Sequence, residues 1–184
     1  MPPTHRVHDK DILDALEGFG TSPLEADVWR VARAGRDPLR PSSAHGRWSR
    51  SGEFDVLYTS REKEGALAEI GYRLSLEPVW PRIEHEIHRI GARIGNALVV
   101  PDLATLQTLG VDTSRYQTLD YRRTQEIAAA ATFLGAEALV VPNARYAYLN
   151  VVGLASNLNI ASAFERLSTE AVDWNEWRAQ QKAR

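Results

Sequence analysis

An arginine-only cluster occupies residues 28–52 and is the clearest chemical feature of the chain. The segment contains six arginines, no lysine and one acidic residue, Asp37. A planar guanidinium group donates two parallel hydrogen bonds to phosphate oxygens, which a lysine ammonium group does not do. The cluster therefore indicates a site for a phosphate-bearing ligand, the alternative being a solvated basic surface. Its members are Arg30, Arg33, Arg36, Arg40, Arg47 and Arg50.

The overall charge argues against a general nucleic-acid-binding protein. The 184 residues include 22 Lys plus Arg and 24 Asp plus Glu, which gives a formal net charge of -2. Nucleic-acid-binding domains are more often basic throughout. The sequence therefore favours a small phosphorylated ligand and predicts no direct nucleic-acid partner.

A carboxylate, Glu69, follows the arginines on a predicted helix. Apolar residues recur there with the helical period, and Glu69 lies on the flank of the apolar stripe, where it is able to face a cleft. The alternative is an exposed residue paired with Arg73 at i+4, which would contribute about 0.3–0.5 kcal/mol. The apolar residues are Ala66, Leu67, Ile70 and Leu74.

Strands and helices alternate irregularly around these residues, which predicts an α+β fold. Residues 28–33 and 54–58 are predicted strands, and they enclose a long Gly-, Pro- and Ser-containing loop. Further strands are predicted at 97–101, 138–141 and 149–154, and helices at 103–109 and 121–134. An acidic helix at 9–18 and a helical tail at 162–184 are expected to pack on this core.

Several functional classes are not supported by the sequence. There is no Gly-x-Gly-x-x-Gly or Gly-Lys-Ser/Thr phosphate motif, and the chain has no cysteine. His85 and His88 are three residues apart, whereas a zinc-protease helix needs four, so no metal is expected. No apolar run approaches the roughly 18–20 residues of a membrane helix, and no secretory signal is evident. We expect a single cytoplasmic domain over residues 1–184, without membrane association.

An ordered set of short motifs resembles the RES domain, the toxin of RES/Xre toxin–antitoxin pairs. Each motif is weak alone, but their order and spacing are fairly specific, and the resemblance covers roughly residues 28–155. The motifs are Trp29-Arg30, Gly46-Arg47-Trp48, Leu57-Tyr58-Thr59-Ser60 and Ala66-Leu67-Ala68-Glu69-Ile70.

The resemblance implies a fold similar to that of ADP-ribosyltransferase toxins, with a central split β-sheet flanked by helices. It implies NAD⁺ as the substrate, consumed by hydrolysis or phosphorolysis of the nicotinamide–ribose bond, or used to transfer ADP-ribose to a protein acceptor. It also implies an Xre-like helix-turn-helix antitoxin as the partner. The family favours a strand around residues 87–94, where the isoleucine spacing alone would favour a helix.

The resemblance also assigns roles to residues at matching positions. Glu69 would stabilise the ribose cation and orient the nucleophile, Arg30 would hold the diphosphate, and Tyr58 would border the nicotinamide. Arg47 would be a second phosphate clamp in a loop able to close on the ligand. The remaining predicted lining residues are His45, Ser60 and Asn143.

Asn143 is a departure from the family pattern. It stands where the family typically has serine, in Pro142-Asn143-Ala144-Arg145. An amide hydrogen bonds with a geometry different from that of a hydroxyl, so the substitution bears on efficiency or on acceptor choice. A different class of protein, a non-catalytic nucleotide- or RNA-binding module, stays open at this point, with Glu69 purely structural.

Overall fold

The computed structural model describes residues 7–183; the predictions made for residues 1–6 and 184 lie outside this range. The strands are β1 (Ser22–Arg33), β2 (Val56–Ser60), β3 (His85–Val99), β4 (Ala138–Pro142), β5 (Leu149–Leu154) and β6 (Phe164–Ala171). The helices are α1 (Lys10–Phe19), α2 (Lys63–Ser75), α3 (Leu103–Thr108), α4 (Arg122–Phe133), α5 (Ile160–Ala163) and α6 (Trp174–Lys182), and a 3₁₀ turn spans Thr113–Arg115. The predicted α+β class is confirmed.

The six strands form one sheet in the order β1-β2-β5-β4-β3-β6, and β1 also pairs with β3. This additional pairing runs from Ser22 opposite Ala97 to Arg33 opposite His85, and it closes the sheet into a barrel-like ring. By contrast, β1 and β2 meet at a single residue pair, Trp29 with Ser60. The predicted split in the sheet is therefore present between these two strands.

Successive side chains of the central strands point to opposite faces of the sheet, and apolar residues on both faces form two core layers. Every residue of β4 is buried, and Leu139 and Val141 belong to one core cluster while Ala138 and Val140 belong to another. Successive side chains of a strand point to opposite faces, so β4 is covered on both sides. The first cluster is completed by α1, α3 and α4, and the second by α5 and the start of β6.

The predicted N-terminal helix packs on this core. Ile12 and Leu16 of α1 are each 1% exposed and join the cluster that includes α4. Asp9 caps α1 by accepting hydrogen bonds from the backbone N–H groups of Asp11 and Ile12, and it also pairs with Arg123 of α4 at 2.8 Å. The cap and the ion pair fix the start of α1 against α4.

The predicted helical tail is wrong in its first half. Residues Phe164–Ala171 form the strand β6, and only Trp174–Lys182 are helical. Along the edge of β3 that is next to β4, only residues 97–99 form hydrogen bonds with β4. This leaves an open edge along residues 86–92, which β6 covers.

No helix between residues 7 and 183 has the length and apolar character needed to cross a membrane.

Candidate active site

A cavity of about 250 Å³ opens where β1 and β2 separate beneath α2. Its walls are β1, β2, α2, the loop between β1 and β2, and two segments, near residues 119–121 and 145–150. Six of the seven predicted site residues line it: Arg30, His45, Arg47, Tyr58, Ser60 and Glu69. The predicted cleft between the first two strands and the Glu69 helix is therefore present.

Glu69 reaches the cavity from the middle of α2. The residue is half-buried, and within residues 7–183 its carboxylate has no hydrogen bond and no ion pair. In particular, the alternative pairing with Arg73 does not form within 4 Å in the described part of the chain. Burial raises the pKa of Tyr116 above its usual range, and the negative charge of Glu69 adds to that rise. The carboxylate is thus close enough to act electrostatically on Tyr116 and is not neutralised by a partner.

Arg30 is a largely buried cation that has no carboxylate partner among residues 7–183. Its guanidinium donates to the carbonyl oxygens of Tyr58 at 3.2 Å and Arg40 at 3.3 Å. Burial lowers the pKa of Arg30 to about 10, against the opposing effect of Asp37 and with a smaller contribution from Arg73. The side chain therefore stays protonated at neutral pH. A buried cation held only by neutral carbonyls is suited to bind an anion.

Arg47 lies between two tyrosine rings. Its guanidinium carbon is 4.4 Å from the centroid of Tyr116 and 4.7 Å from that of Tyr121. One terminal nitrogen, Nη2, donates to the carbonyl of Thr118 at 3.2 Å, whereas the other, Nη1, is buried without a partner. Such stacking contributes about 0.5–2 kcal/mol and holds the plane of the group.

The turn that carries Arg47 is anchored to α4, in contrast to the predicted mobile clamp. Gln125 of α4 is buried, and its side-chain amide donates to the carbonyls of Gly46 at 2.8 Å and Ser49 at 3.1 Å. The hydroxyl of Thr124 donates to the carbonyl of Arg47 at 2.6 Å. Residues 46–49, here called the Arg47 turn, are therefore tied to a helix whose interior face is buried.

Tyr58 connects β2 to the same turn. Its hydroxyl accepts from the backbone N–H of Trp48 at 3.0 Å and lies 3.2 Å from the hydroxyl of Ser49. Burial raises the pKa of Tyr58, so the phenol remains neutral near pH 7. A Cβ atom at Gly46 would collide with this hydroxyl, which explains glycine at that position. The ring lines the cavity, and the hydroxyl holds the turn. The expected contact of Tyr58 with nicotinamide stays a prediction.

The other predicted lining residues differ in exposure. Ser60 is 2% exposed, and its Oγ accepts from the backbone N–H of Glu62 at 3.4 Å. It fits against α2 because Gly65 has no Cβ to occupy the same space. His45 is exposed at the edge of the cavity, with its ring 5.7 Å from that of Tyr121.

Asn143 does not line the cavity. Its Oδ1 accepts from the backbone N–H groups of Arg145 at 2.7 Å and Tyr146 at 3.0 Å, and its Nδ2 donates to Oδ1 of Asn150 at 2.9 Å. Asn150 does line the cavity. The amide thus shapes the connection between β4 and β5, and it contacts the site through its neighbours.

Two further arginines in the lining were not predicted as site residues. Arg73 follows Glu69 by one helical turn, and Arg145 stacks over the ring of Tyr72 with 3.5 Å between the guanidinium carbon and the ring centroid. The sequence contained a signal for each of them. Arg73 is four residues after Glu69 and therefore lies on the same side of the helix, and Arg145 ends the family motif that contains Asn143.

The cavity is strongly cationic. Four arginines and one acid, Glu69, line it, although the chain as a whole has a formal net charge of -2. Within residues 7–183, none of the four arginines lies within 4 Å of a carboxylate.

No three His, Asp or Glu side chains of the described part are grouped so as to hold a metal ion. His85 and His88, rejected above as ligands, are buried on β3.

These features define a mixed α+β protein with a ring-shaped sheet and a cavity lined by four arginines and one carboxylate. The model of the RES domain matches residues 27–175, and the chain belongs to the RES domain family. The match begins close to the predicted start of the core, and it extends past residue 155 through β6 to the start of α6.

Two proteins from Mycobacterium tuberculosis are similar to this chain, one in sequence and one in structure. A protein named a probable NAD(+) phosphorylase is 38% identical over 126 residues, which are 65% of this chain and 59% of the relative. The chain thus spans less than two thirds of that protein. A chain in the crystal structure of the MbcT–MbcA toxin–antitoxin complex superposes with a TM-score of 0.80 at 15% identity, covering 93% of this chain and 97% of that one. The second likeness establishes the fold.

Proposed function

We propose that this protein consumes NAD⁺ by cleaving the bond between nicotinamide and ribose, and that it is the toxin of a toxin–antitoxin pair. The observation that carries the proposal is the unpaired Glu69 carboxylate, which shares one cavity with Arg30 and Arg47. The name of the M. tuberculosis relative supports NAD⁺ as the substrate, and the similar fold in a toxin–antitoxin complex supports the biological role.

The proposed reaction needs a negative charge beside the ribose, where positive charge develops in the transition state. When the bond from ribose C1 to nicotinamide nitrogen breaks, the electron pair leaves with neutral nicotinamide and the ribose becomes an oxocarbenium-like cation. A fixed carboxylate stabilises such a cation, and oriented electrostatic groups of this kind contribute about 2.7–4 kcal/mol. In the part of the chain that the structure describes, no hydrogen-bond or ion-pair partner competes for the charge of Glu69, so the carboxylate is free to act on the ribose.

The arginines provide the binding energy that brings the ribose to Glu69. Arg30 and Arg47 would hold the diphosphate, with Nη1 of Arg47 offering an unused donor. Charge-assisted hydrogen bonds contribute about 1.5–3 kcal/mol each. The ring of Tyr58 would border the nicotinamide, with Ser60 beneath it and His45 at the edge of the cavity.

The test is nicotinamide release from NAD⁺ by the wild-type protein and by Glu69→Gln. Because Gln has the same shape and no hydrogen bond is lost, the fold should persist while the rate falls about 100- to 1,000-fold. Glu64→Gln, at an exposed position of the same helix, is the matched control and should retain the wild-type rate. Equal rates for wild type and Glu69→Gln would refute the proposed role of Glu69.

The second candidate activity is transfer of ADP-ribose to a protein. NAD⁺ labelled on the adenylate side separates the two activities when it is incubated with the protein in cell lysate. Label in a protein band means transfer, and label confined to small molecules means NAD⁺ degradation. NAD⁺ binding and growth inhibition that are both unchanged in Glu69→Ala would instead identify a non-catalytic nucleotide- or RNA-binding module, whereas loss of nicotinamide release with NAD⁺ binding retained would eliminate that alternative.

The partner we propose is an antitoxin of the Xre-like helix-turn-helix type that covers the cavity. Because the proposed substrate is an intracellular dinucleotide, we also propose a cytoplasmic location for the protein. Co-expression with the antitoxin should suppress both the growth arrest and the nicotinamide release.

A further inference from the structure

We propose that Trp177 of α6 is a positioning residue for the reaction, because its indole ring holds α2 in the place from which Glu69 reaches the ribose. This inference rests on the NAD⁺ cleavage proposed above. Trp177 does not line the cavity, and it lies beyond residue 175, where the match to the family model ends. Any effect of Trp177 on the reaction is therefore transmitted through α2.

The indole ring of Trp177 occupies space that a glycine of α2 leaves free. Gly71 is buried within α2, and a Cβ atom at this position would overlap Cη2 and Cζ3 of Trp177. Glycine is among the least favourable residues in the interior of a helix. Its presence here allows α2 and α6 to approach until the ring of Trp177 lies directly against the backbone of α2.

This contact lies on the side of α2 that faces away from the cavity. Residues two apart in an α-helix project roughly 200° from each other, so Gly71 and Glu69 point in nearly opposite directions. On the cavity side, Gly65 lies one turn before Glu69, and its missing Cβ makes room for Oγ of Ser60 on β2. Glu69 is therefore flanked by two close contacts, one on each side of the helix.

The other attachments of α2 are mainly apolar. Its N-cap residue, Glu62, makes no side-chain hydrogen bond to the first turn. Apolar contacts are non-directional, so the shape of the opposing surface decides where such a helix rests. That surface consists of Val31 and Ile87 of the sheet and of the indole rings of α6. The residues of α2 that pack on it are Ala66, Leu67, Ile70 and Leu74.

The helix α6 is itself fixed to β3 independently of α2. Trp174 is buried, its Nε1 donates to Nδ1 of His85 at 3.1 Å, and the two rings meet edge-on with their centroids 5.6 Å apart. Asp173 caps α6 by accepting hydrogen bonds from two backbone N–H groups of its first turn. The ring of Trp177 packs on that of Trp174 with 5.5 Å between centroids. The sheet therefore determines where Trp177 lies, and Trp177 determines how far α2 extends on this side.

The groups proposed to bind the diphosphate are carried by other elements. Arg30 belongs to β1, and Arg47 belongs to the turn tied to α4. A displacement of α2 therefore changes the distance from Glu69 to the ribose and leaves these two arginines in place. A catalytic group misplaced by about 1 Å lowers the rate about 100-fold. Loss of the Trp177 contact should thus lower kcat and leave the KM for NAD⁺ nearly unchanged, which general destabilisation of the fold would not do.

The experiment measures nicotinamide release at varied NAD⁺ for wild type, Trp177→Phe and Trp177→Ala, at a temperature well below the Tm of every variant. We expect Trp177→Ala to lower kcat about 10- to 100-fold with the KM for NAD⁺ within about threefold of wild type. Trp177→Phe keeps part of the ring and should lose less. Gln181→Ala, at an exposed position of α6, should have the wild-type kcat. Ile12→Ala, in the buried face of α1 outside the cavity, should lower Tm without lowering kcat.

Two results would overturn the positioning role. One is a kcat for Trp177→Ala within about twofold of wild type although its Tm is lower, which would leave Trp177 with a structural role only. The other is a rise in the KM for NAD⁺ with kcat unchanged. If Trp177→Ala does not fold, Trp177→Leu takes its place in the same comparison.

A measurement that does not depend on activity separates this inference from the proposed function. If the wild type releases no nicotinamide, the proposed function fails, and amide hydrogen exchange of wild type and Trp177→Phe then decides whether Trp177 fixes α2. Faster exchange across residues 67–74, with unchanged exchange in β1 and the Arg47 turn, supports the contact as the support of α2. Unchanged exchange in α2 refutes it.

Discussion

Gln125 offers a direct test of whether the Arg47 turn must be anchored for the site to work. Its amide makes two hydrogen bonds to the turn, and both carbonyls retain a second partner, because the N–H groups of Gly46 and Ser49 donate across the turn. In Gln125→Leu the side chain keeps a similar volume and loses both bonds, together with two longer contacts, 3.4 Å from Nε of Arg50 and 3.3 Å from Nδ1 of His45. At about 1 kcal/mol for each of the two bonds to the turn, the free energy of unfolding should fall by at least about 2 kcal/mol.

This loss has two measurable consequences. For a chain of this size, 1 kcal/mol shifts Tm by about 2–4 °C, so thermal unfolding should show a fall of about 4–8 °C. Arg47 then loses part of its fixed position, and the KM for NAD⁺ should rise up to about tenfold with a smaller change in kcat. Gln107→Leu, an exposed residue on α3, is the control. A lower Tm with an unchanged KM would show that anchoring the turn does not contribute to the site, and an unchanged Tm would refute the hydrogen-bond argument itself.

Three further predictions concern other parts of the structure. Gly71→Ala places a Cβ against the ring of Trp177 and should cost about 1–3 kcal/mol in chemical unfolding, and combining it with Trp177→Ala should cost less than the sum of the two changes. Asn143→Ser keeps an acceptor for the N–H groups of Arg145 and Tyr146, so its kcat/KM should stay within about threefold of the wild-type value. Asn143→Ala removes the acceptor, and its kcat/KM should fall further. Equal losses of kcat/KM in the two variants would contradict the role of Asn143 as a backbone acceptor. NAD⁺ affinity, measured by equilibrium binding to the inactive Glu69→Gln protein, should be flat near neutral pH and fall as pH rises through about 10, where Arg30 loses its proton. The same titration with Arg30→Gln added should lack this step.

The strand β3 shows why local sequence patterns were partly ambiguous. Its isoleucines have the three- and four-residue spacing of a helix, yet Ile90 and Ile94 share one face of the strand with Ala92, while Ile87 packs in a separate cluster on the other face. The face with Ile90, Ala92 and Ile94 is buried, whereas the opposite face is buried at Ile87 and exposed at Arg89 and Arg93. The helical spacing of the isoleucines is therefore coincidental, and the resemblance to the family identified the strand correctly. The strand β6 was missed because its residues are nearly all exposed and its pairing depends on the distant edge of β3.

The candidate site was predictable to the extent that it lies in local motifs. Arg30, Tyr58 and Glu69 belong to contiguous segments whose order along the chain identifies the family, and the structure brings them to one cavity. Arg145 could not be placed in this way, because its contact with Tyr72 joins segments far apart in the chain. The actual role of Asn143 likewise depends on the tertiary arrangement, in which its amide faces the backbone of the β4–β5 connection.

Two of the four cavity arginines, Arg47 and Arg145, have their guanidinium groups positioned over tyrosine rings. A free arginine side chain loses up to about 2 kcal/mol of rotamer entropy when a ligand immobilises it. Stacking removes most of that freedom during folding, so little remains to be lost on binding, and the complex forms from a preorganised state. A lysine at either position would keep the positive charge but would lack a planar group to stack, and it should bind anions more weakly for an entropic reason.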